Sequence, residues 1–266
     1  MAVGKFTFFS FSLNRSTTFN IVLPNDVPPM MTEGNINFNR KMKSMILLHG
    51  FCGMEDDWLT QGNAQEMASK YNMAIVIPNG YNSFYLDRKA TGDAYGTFIG
   101  KDLVEYCRKT FNLFENREDS YIGGYSMGGF GALHVGLQFK DTFSKIVALS
   151  SALIIHQIHE MKPDDEFDGM ANYEYYQATF GDLAKVVESD YNPEVLIEQI
   201  MVAGQELPGI YMAIGTEDFL YENNQQFKKF LEDKGVTFTY EEEKGIHDFV
   251  FWNRFIDKGI NWILEG

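Results

Sequence analysis

The sequence predicts an α/β fold: a mostly parallel central sheet with helices on both faces and a small inserted helical cap. Three observations carry this reading. Apolar runs end abruptly at loop residues, as at Ser44-Met45-Ile46-Leu47-Leu48-His49 before Gly50, and at Met73 to Ile77 before Pro78. A strand covered on both faces has this pattern, because both sets of alternating side chains are buried. Such runs alternate with helical segments, which argues for a parallel sheet wrapped by helices. The alternation then lapses over about 151–207, which carries no clear buried strand and is expected to be the cap.

Each element follows in order. Residues 5–13 and 17–23 are Phe-rich and β-branched, so they read as a strand pair turning at Asn14-Arg15-Ser16. The stretch 25–39, with Pro28, Pro29 and Gly34, is a loop. Strands are expected at 44–49 and 73–77. Over 95–111, Phe98, Leu103, Tyr106 and Cys107 recur at helical spacing. A short strand at 121–124 runs into a helix at 127–139, and 143–149 is another buried strand. The expected cap holds the acidic stretch Asp164-Asp165-Glu166-Phe167-Asp168 and the aromatics Tyr173, Tyr175, Tyr176 and Phe180. A strand at 209–214, a helix at about 221–234, a strand at 236–242 and a helix at about 249–263 complete the chain.

Composition narrows the function classes. The 266 residues carry 22 basic and 37 acidic side chains, a formal charge of −15. No basic stripe stands out, so a nucleic-acid partner is disfavoured: phosphate affinity needs clustered Lys and Arg. No apolar run approaches the roughly 20 residues of a membrane span. The apolar N-terminus is broken by Ser10, Ser12 and Asn14 and lacks a cleavage site, so no signal peptide is expected there. The two cysteines, Cys52 and Cys107, do not make a disulfide framework. A cytoplasmic protein with a small-molecule substrate is the expectation, with self-association left open. The length suits one domain, 1–266, carrying the cap.

Gly124-Tyr125-Ser126-Met127-Gly128 is G-x-S-x-G, placed after an expected strand and before an expected helix. A serine there stands on a tight turn at a helix N-terminus, where partial positive charge favours an oxyanion. Ser126 is therefore the expected nucleophile. Of the five histidines, His247 alone follows the last strand and precedes the last helix, the place for a general base. His49 is the second choice. Asp218, three residues beyond the 209–214 strand and its Gly215, is the expected acid, with Glu217 its rival; Asp248 is too close to His247 in sequence to reach its ring well. The order nucleophile, acid, histidine is that of the α/β-hydrolase fold. Met127, the residue after the nucleophile, supplies one oxyanion amide, and Phe51 or Cys52 the other. His156, His159 and Glu160 form H-x-x-H-E, which is neither zinc-enzyme order, so no metal is expected. Trp58 is either a packed aromatic or a substrate contact.

The strings LLHGFCG, DDW, GGYSMGGFGAL, IGTEDFL and GIHDFVFW occur in this order. Together they resemble the tributyrin esterase and esterase D family, which includes S-formylglutathione hydrolases and is similar to the feruloyl and acetylxylan esterases of carbohydrate esterase family 1. More distantly they resemble the mycolyltransferases. The resemblance implies Ser126, Asp218 and His247 as triad, Phe51 and Met127 as oxyanion donors, no cofactor, and a preference for short acyl chains. Thioester hydrolysis and acyl transfer are the alternatives the same triad would serve.

Overall fold

The computed structural model describes residues 1–165 and 169–265. Part of the acidic stretch, Glu166, Phe167 and Asp168, lies outside the described residues. β1 (Ala2–Ser10) and β2 (Arg15–Leu23) form an antiparallel hairpin with Ser10 opposite Arg15. The turn falls at 11–14 rather than 14–16. Asn14 closes it with φ of 50°, its amide donating to the Phe11 carbonyl at 3.3 Å. Asn tolerates this left-handed conformation better than Arg15 would.

α1 (Pro29–Thr32) is a single turn within the expected loop. β3 (Lys43–Leu48) is followed by α2 (Asp57–Thr60), α3 (Ala64–Tyr71) and β4 (Met73–Pro78). β5 (Asp87–Arg88) and β6 (Asp93–Ala94) pair with each other apart from the main sheet. The expected 95–111 helix is α4 (Tyr95–Thr97), a π-helical segment at 98–103, and α5 (Val104–Phe111) in succession. Then come β7 (Ser120–Tyr125), α6 (Met127–Gln138) and β8 (Lys145–Leu149). Between β8 and the next strand run α7 (Ile155–His159), α8 (Tyr173–Phe180), a 3₁₀ segment at 183–188 and α9 (Pro193–Val202), with no strand among the described residues. β9 (Gly209–Gly215), α10 (Tyr221–Asp233), β10 (Phe238–Glu243) and α11 (Phe249–Glu265) follow.

The eight-stranded sheet has the order β1-β2-β4-β3-β7-β8-β9-β10. From β4 across to β10 every pairing is parallel; β2 joins β4 antiparallel. Alternate residues of each strand feed opposite cores, as the two-residue period requires. Ile46, Leu48, Ile122, Ile146 and Met212 face a core shared with α6. Met45, Leu47, Tyr121, Val147 and Tyr211 face a second core shared with α3 and α11. The expected α/β-hydrolase architecture is therefore the observed one. Its carboxyl edge gathers the loops after β3, β7, β9 and β10, where an open α/β sheet binds its ligands. No helix among the described residues is long and apolar enough to cross a membrane.

Candidate active site

Ser126 sits between β7 and α6 with φ of 56° and ψ of −122°. For a residue with a Cβ that conformation costs on the order of 1–3 kcal/mol, and it persists only where the surroundings fix it. They do so here. The Ser126 amide donates to the Leu149 carbonyl at 2.9 Å, and its own carbonyl accepts from Gly129, Phe130 and Ala152 at 2.9, 3.1 and 3.0 Å. The flanking glycines are steric necessities. A Cβ on Gly124 would lie 2.5 Å from the Gly128 carbonyl oxygen, and one on Gly128 would lie 2.5 Å from that of Leu48. Strand and helix approach too closely for any side chain.

Asp218 follows β9 through a turn in which its amide donates to the Gly215 carbonyl at 3.1 Å. One carboxylate oxygen accepts from the Leu220 amide at 2.9 Å; the other lies 2.8 Å from His247 Nδ1. A carboxylate only accepts, so Nδ1 donates to Asp218, and in the neutral ring that leaves the lone pair on Nε2. The imidazole is held between aromatic rings, Phe219 at 4.5 Å and Trp252 edge-on at 4.9 Å between centroids. Trp252 in turn stacks on Tyr125, the neighbour of Ser126, at 4.1 Å and donates its indole N–H to Ser150 Oγ at 3.1 Å. Among the described residues no hydrogen bond joins Ser126 to His247, a contact that commonly tightens only when substrate is bound.

The rival residues are engaged elsewhere. Glu217 is half exposed and pairs with Lys244 at 3.7 Å. Asp248 accepts from the Phe251 amide at 2.9 Å, capping the start of α11. His49 is fully buried, which lowers its pKa. Its Nε2 accepts from the Gly80 amide at 2.9 Å, so Nδ1 donates to the Gly50 carbonyl at 2.8 Å and neither nitrogen is free for a proton. His134 donates to the Asp190 carbonyl, His159 to that of Leu183, and His156 lies 3.1 Å from Glu194. Among the described residues no group of three or more His, Cys, Asp or Glu side chains could hold a metal ion.

The loop after β3 carries the remaining candidates. Cys52 has φ of 60°, and its amide donates to Asn82 Oδ1 at 2.8 Å. The Gly53 amide donates to the Gly50 carbonyl at 3.1 Å, and that of Met54 to Asp57 Oδ2 at 3.2 Å. The Phe51 amide makes no hydrogen bond among the described residues. Met127 is the first residue of α6, where amides lack partners within the helix. Trp58 is fully buried; its indole donates to the Leu48 carbonyl at 3.1 Å and its ring meets Tyr125 and Phe249. Its place is in packing beneath the loop, the first of its two expected roles. The cysteines are both free, Cys52 exposed and Cys107 buried, where burial pushes its thiol up to about 12.

Three residues that sequence reasoning missed complete the surroundings. Asp57 touches both the loop and Tyr125. Asn82 holds Cys52. Phe219, 65% exposed, covers the His247 ring and helps line a cavity of about 380 Å³ with Ile154, Met170, Tyr176 and Leu220. The DDW string contained Asp57, and IGTEDFL contained Phe219; nothing local marked Asn82. A larger cavity of about 620 Å³, lined by residues of α6 and α9, contains no triad candidate.

Comparison with known proteins places the chain by family and by fold. A family model described as "Putative esterase" matches residues 10–262. An acetyl esterase of Caldicellulosiruptor saccharolyticus is 38% identical over 265 residues, covering 100% of this chain and 99% of that protein. Among solved structures, fluorophosphonate-binding serine hydrolase F of Staphylococcus aureus superposes with a TM-score of 0.83 at 24% identity, covering 98% of each chain. The S-formylglutathione hydrolase of the same organism gives 0.81 at 25%, again covering 98% of each.

Proposed function

The chain belongs to the esterase family and is a carboxylesterase, and from that premise we propose that it hydrolyses short-chain acyl or aryl esters, of acetyl or feruloyl type, through an acyl-enzyme on Ser126. The observation that carries the reading is a serine on a strained strand-to-helix turn at the same carboxyl edge of the sheet as a His247 whose Nδ1 lies 2.8 Å from Asp218.

The steps follow from the groups present. Ser126 Oγ adds to the ester carbonyl carbon while His247 Nε2 takes its proton. The carbonyl oxygen becomes an anion held by the Phe51 and Met127 amides. The bond of the Cys52 amide to Asn82 favours the Phe51 amide over it as the second donor. Collapse of the tetrahedral adduct breaks the bond to the leaving oxygen, and the proton on Nε2 passes to it, releasing the alcohol. Water then loses a proton to Nε2 as it attacks the acyl carbon, and a second collapse frees the carboxylic acid and restores Ser126. Asp218 accepts from Nδ1 and stabilises the imidazolium. Residues 151–207 form a cap within the one catalytic unit, and Phe219 faces the alcohol that His247 must protonate.

The likeness to an acetyl esterase at 38% identity supports oxyester cleavage over the thioester reading, which rests on a solved structure 25% identical. The test is hydrolysis of p-nitrophenyl esters from acetate to octanoate, and of the ferulate, by wild type and Ser126→Ala. Activity highest on the short chains and abolished in the variant is expected. Full activity in the variant overturns the assignment of the nucleophile.

A further inference from the structure

The loop 79–86 is built against the loop after β3 and carries an unusual share of strained backbone. Tyr81, Phe84 and Tyr85 have φ of 44°, 52° and 54°, conformations rare for bulky residues, and Cys52 opposite them has 60°. The conformation is fixed internally. Ser83 Oγ donates to the Gly80 carbonyl at 2.6 Å and accepts from the Tyr85 amide at 3.1 Å. The Gly80 amide and the Tyr85 hydroxyl both reach His49, at Nε2 and at the carbonyl. Strain of this kind persists at sites whose geometry is set in advance.

One residue of this loop holds the neighbour of the candidate oxyanion donor Phe51. Asn82 accepts from the Cys52 amide at 2.8 Å and its Nδ2 lies 3.9 Å from Cys52 Sγ. Its backbone carbonyl accepts from the Tyr175 hydroxyl at 2.6 Å. Tyr175 belongs to α8, and its ring also meets the Phe51 ring edge-on at 5.5 Å. Burial pushes the Tyr175 phenol up to about 12, so it stays a donor. The Cys52 N–H lies in the plane of the Phe51–Cys52 peptide, so its bond to Asn82 fixes that plane and anchors Phe51 at its carbonyl end, one residue from the amide it presents.

We propose that Asn82 is a positioning residue for oxyanion stabilisation, locking the loop that presents the Phe51 amide, and that the Tyr175 hydroxyl couples this lock to α8. The proposal rests on the reading that Ser126 is the nucleophile and the Phe51 amide a donor. With Asn82 shortened, the Cys52 amide loses its acceptor and the strained loop relaxes. Ground-state binding makes little use of the amide, so the loss falls on the chemical step.

The test is steady-state hydrolysis of p-nitrophenyl acetate by the full chain, together with inhibition by an aryl trifluoromethyl ketone, which forms a tetrahedral adduct on a catalytic serine. Removing an oxyanion donor outright costs about 100- to 1000-fold in kcat. Misplacing one should cost less, so Asn82→Ala is expected to lower kcat about 10- to 100-fold, with KM within about threefold, and to weaken the ketone by a similar factor. A kcat within twofold of wild type, or a loss confined to KM, overturns the proposal. Tyr175→Phe keeps the ring and removes the hydroxyl. A several-fold fall in kcat at constant KM is expected, and an unchanged kcat removes α8 from the mechanism even if Asn82→Ala fails to fold. Ser126→Ala separates the two levels: its inactivity beside a fully active Asn82→Ala refutes the positioning role alone, whereas its activity refutes both.

Discussion

The Tyr125 hydroxyl donates to Asp57 Oδ2 at 2.8 Å, and the same oxygen accepts from the Met54 amide at 3.2 Å. A single carboxylate oxygen thus joins the residue before the nucleophile to the loop that presents the second oxyanion amide. Burial pushes the Tyr125 phenol far above its ordinary value, so it remains a donor at every working pH. Tyr125→Phe should cost about 1 kcal/mol in urea unfolding, the usual net worth of a hydrogen bond. Asp57→Ala should cost more, because it strands a buried phenol as well as an amide. Equal stability of the two variants would contradict the bridging role.

Asp218→Asn should keep the fold and lower kcat on p-nitrophenyl acetate by about 10,000-fold, the loss expected when the ring no longer holds its proton on Nδ1. Glu217→Gln should leave kcat within about twofold, since its carboxylate faces Lys244 and solvent. Comparable losses from both would mean that the acid is shared.

The elbow was legible because its constraint is local. Two glycines at fixed spacing around a serine, between an apolar run and a helical one, state a steric demand that can be read without knowing the rest of the molecule. Asp218 and His247 were legible through order along the chain and their places after expected strands. The helices between β3 and β4 were not foreseen, although Ala64, Met67, Ala68 and Tyr71 are buried at helical spacing, because eight residues give a periodicity too short to stand out. Asp57 and Asn82 act on Tyr125 and Cys52, which lie 68 and 30 residues away. Such contacts are products of the sheet's crossovers, and no local pattern encodes them. The hairpin turn slipped for a similar reason: which of Asn14 and Arg15 takes positive φ is settled by the pairing of Ser10 with Arg15.

Gly128→Ala should be among the most damaging single-methyl changes. The added carbon would meet the Leu48 and His49 carbonyl oxygens at 2.5 and 2.7 Å, and backbone has no rotamer by which to give way. Overpacking of this kind costs about 1–3 kcal/mol or more. Thermal unfolding with fluorophosphonate labelling would check it: a lower melting temperature and slower labelling are expected together.

His134 gives the protein a sensitivity to acid. Its ring is fully buried in α6, and burial lowers its pKa to about 4, against about 6.5 when unfolded. Between those values the unfolded chain binds the extra proton, so stability rises with pH; the contribution is complete above about 6.5 and is lost as pH falls toward 4. The loss from this residue should be about 2 kcal/mol at pH 5 relative to pH 7. His134→Gln should flatten that part of the profile, measured as the difference in urea midpoint between the two pH values.

Phe219 stands over the His247 ring at 4.5 Å and is mostly exposed. Phe219→Ala should raise KM for esters of bulky aryl alcohols several-fold while changing kcat less. An equal effect on methyl and aryl esters of the same acid would show that the ring does not touch the leaving group.

The two borders of the sheet are unlike. β10 ends in Glu241, Glu242 and Glu243, the first and last paired with Lys258 and Arg254, so a second strand laid against it meets a row of charged side chains. β1 offers Val3 and Phe9 partly exposed and one lysine already paired with Glu55 and Asp56. Edge charges are a common guard against strand addition. The guard is thus uneven: three carboxylates stand on the border where Asp218 and His247 are assembled, and a single lysine on the other.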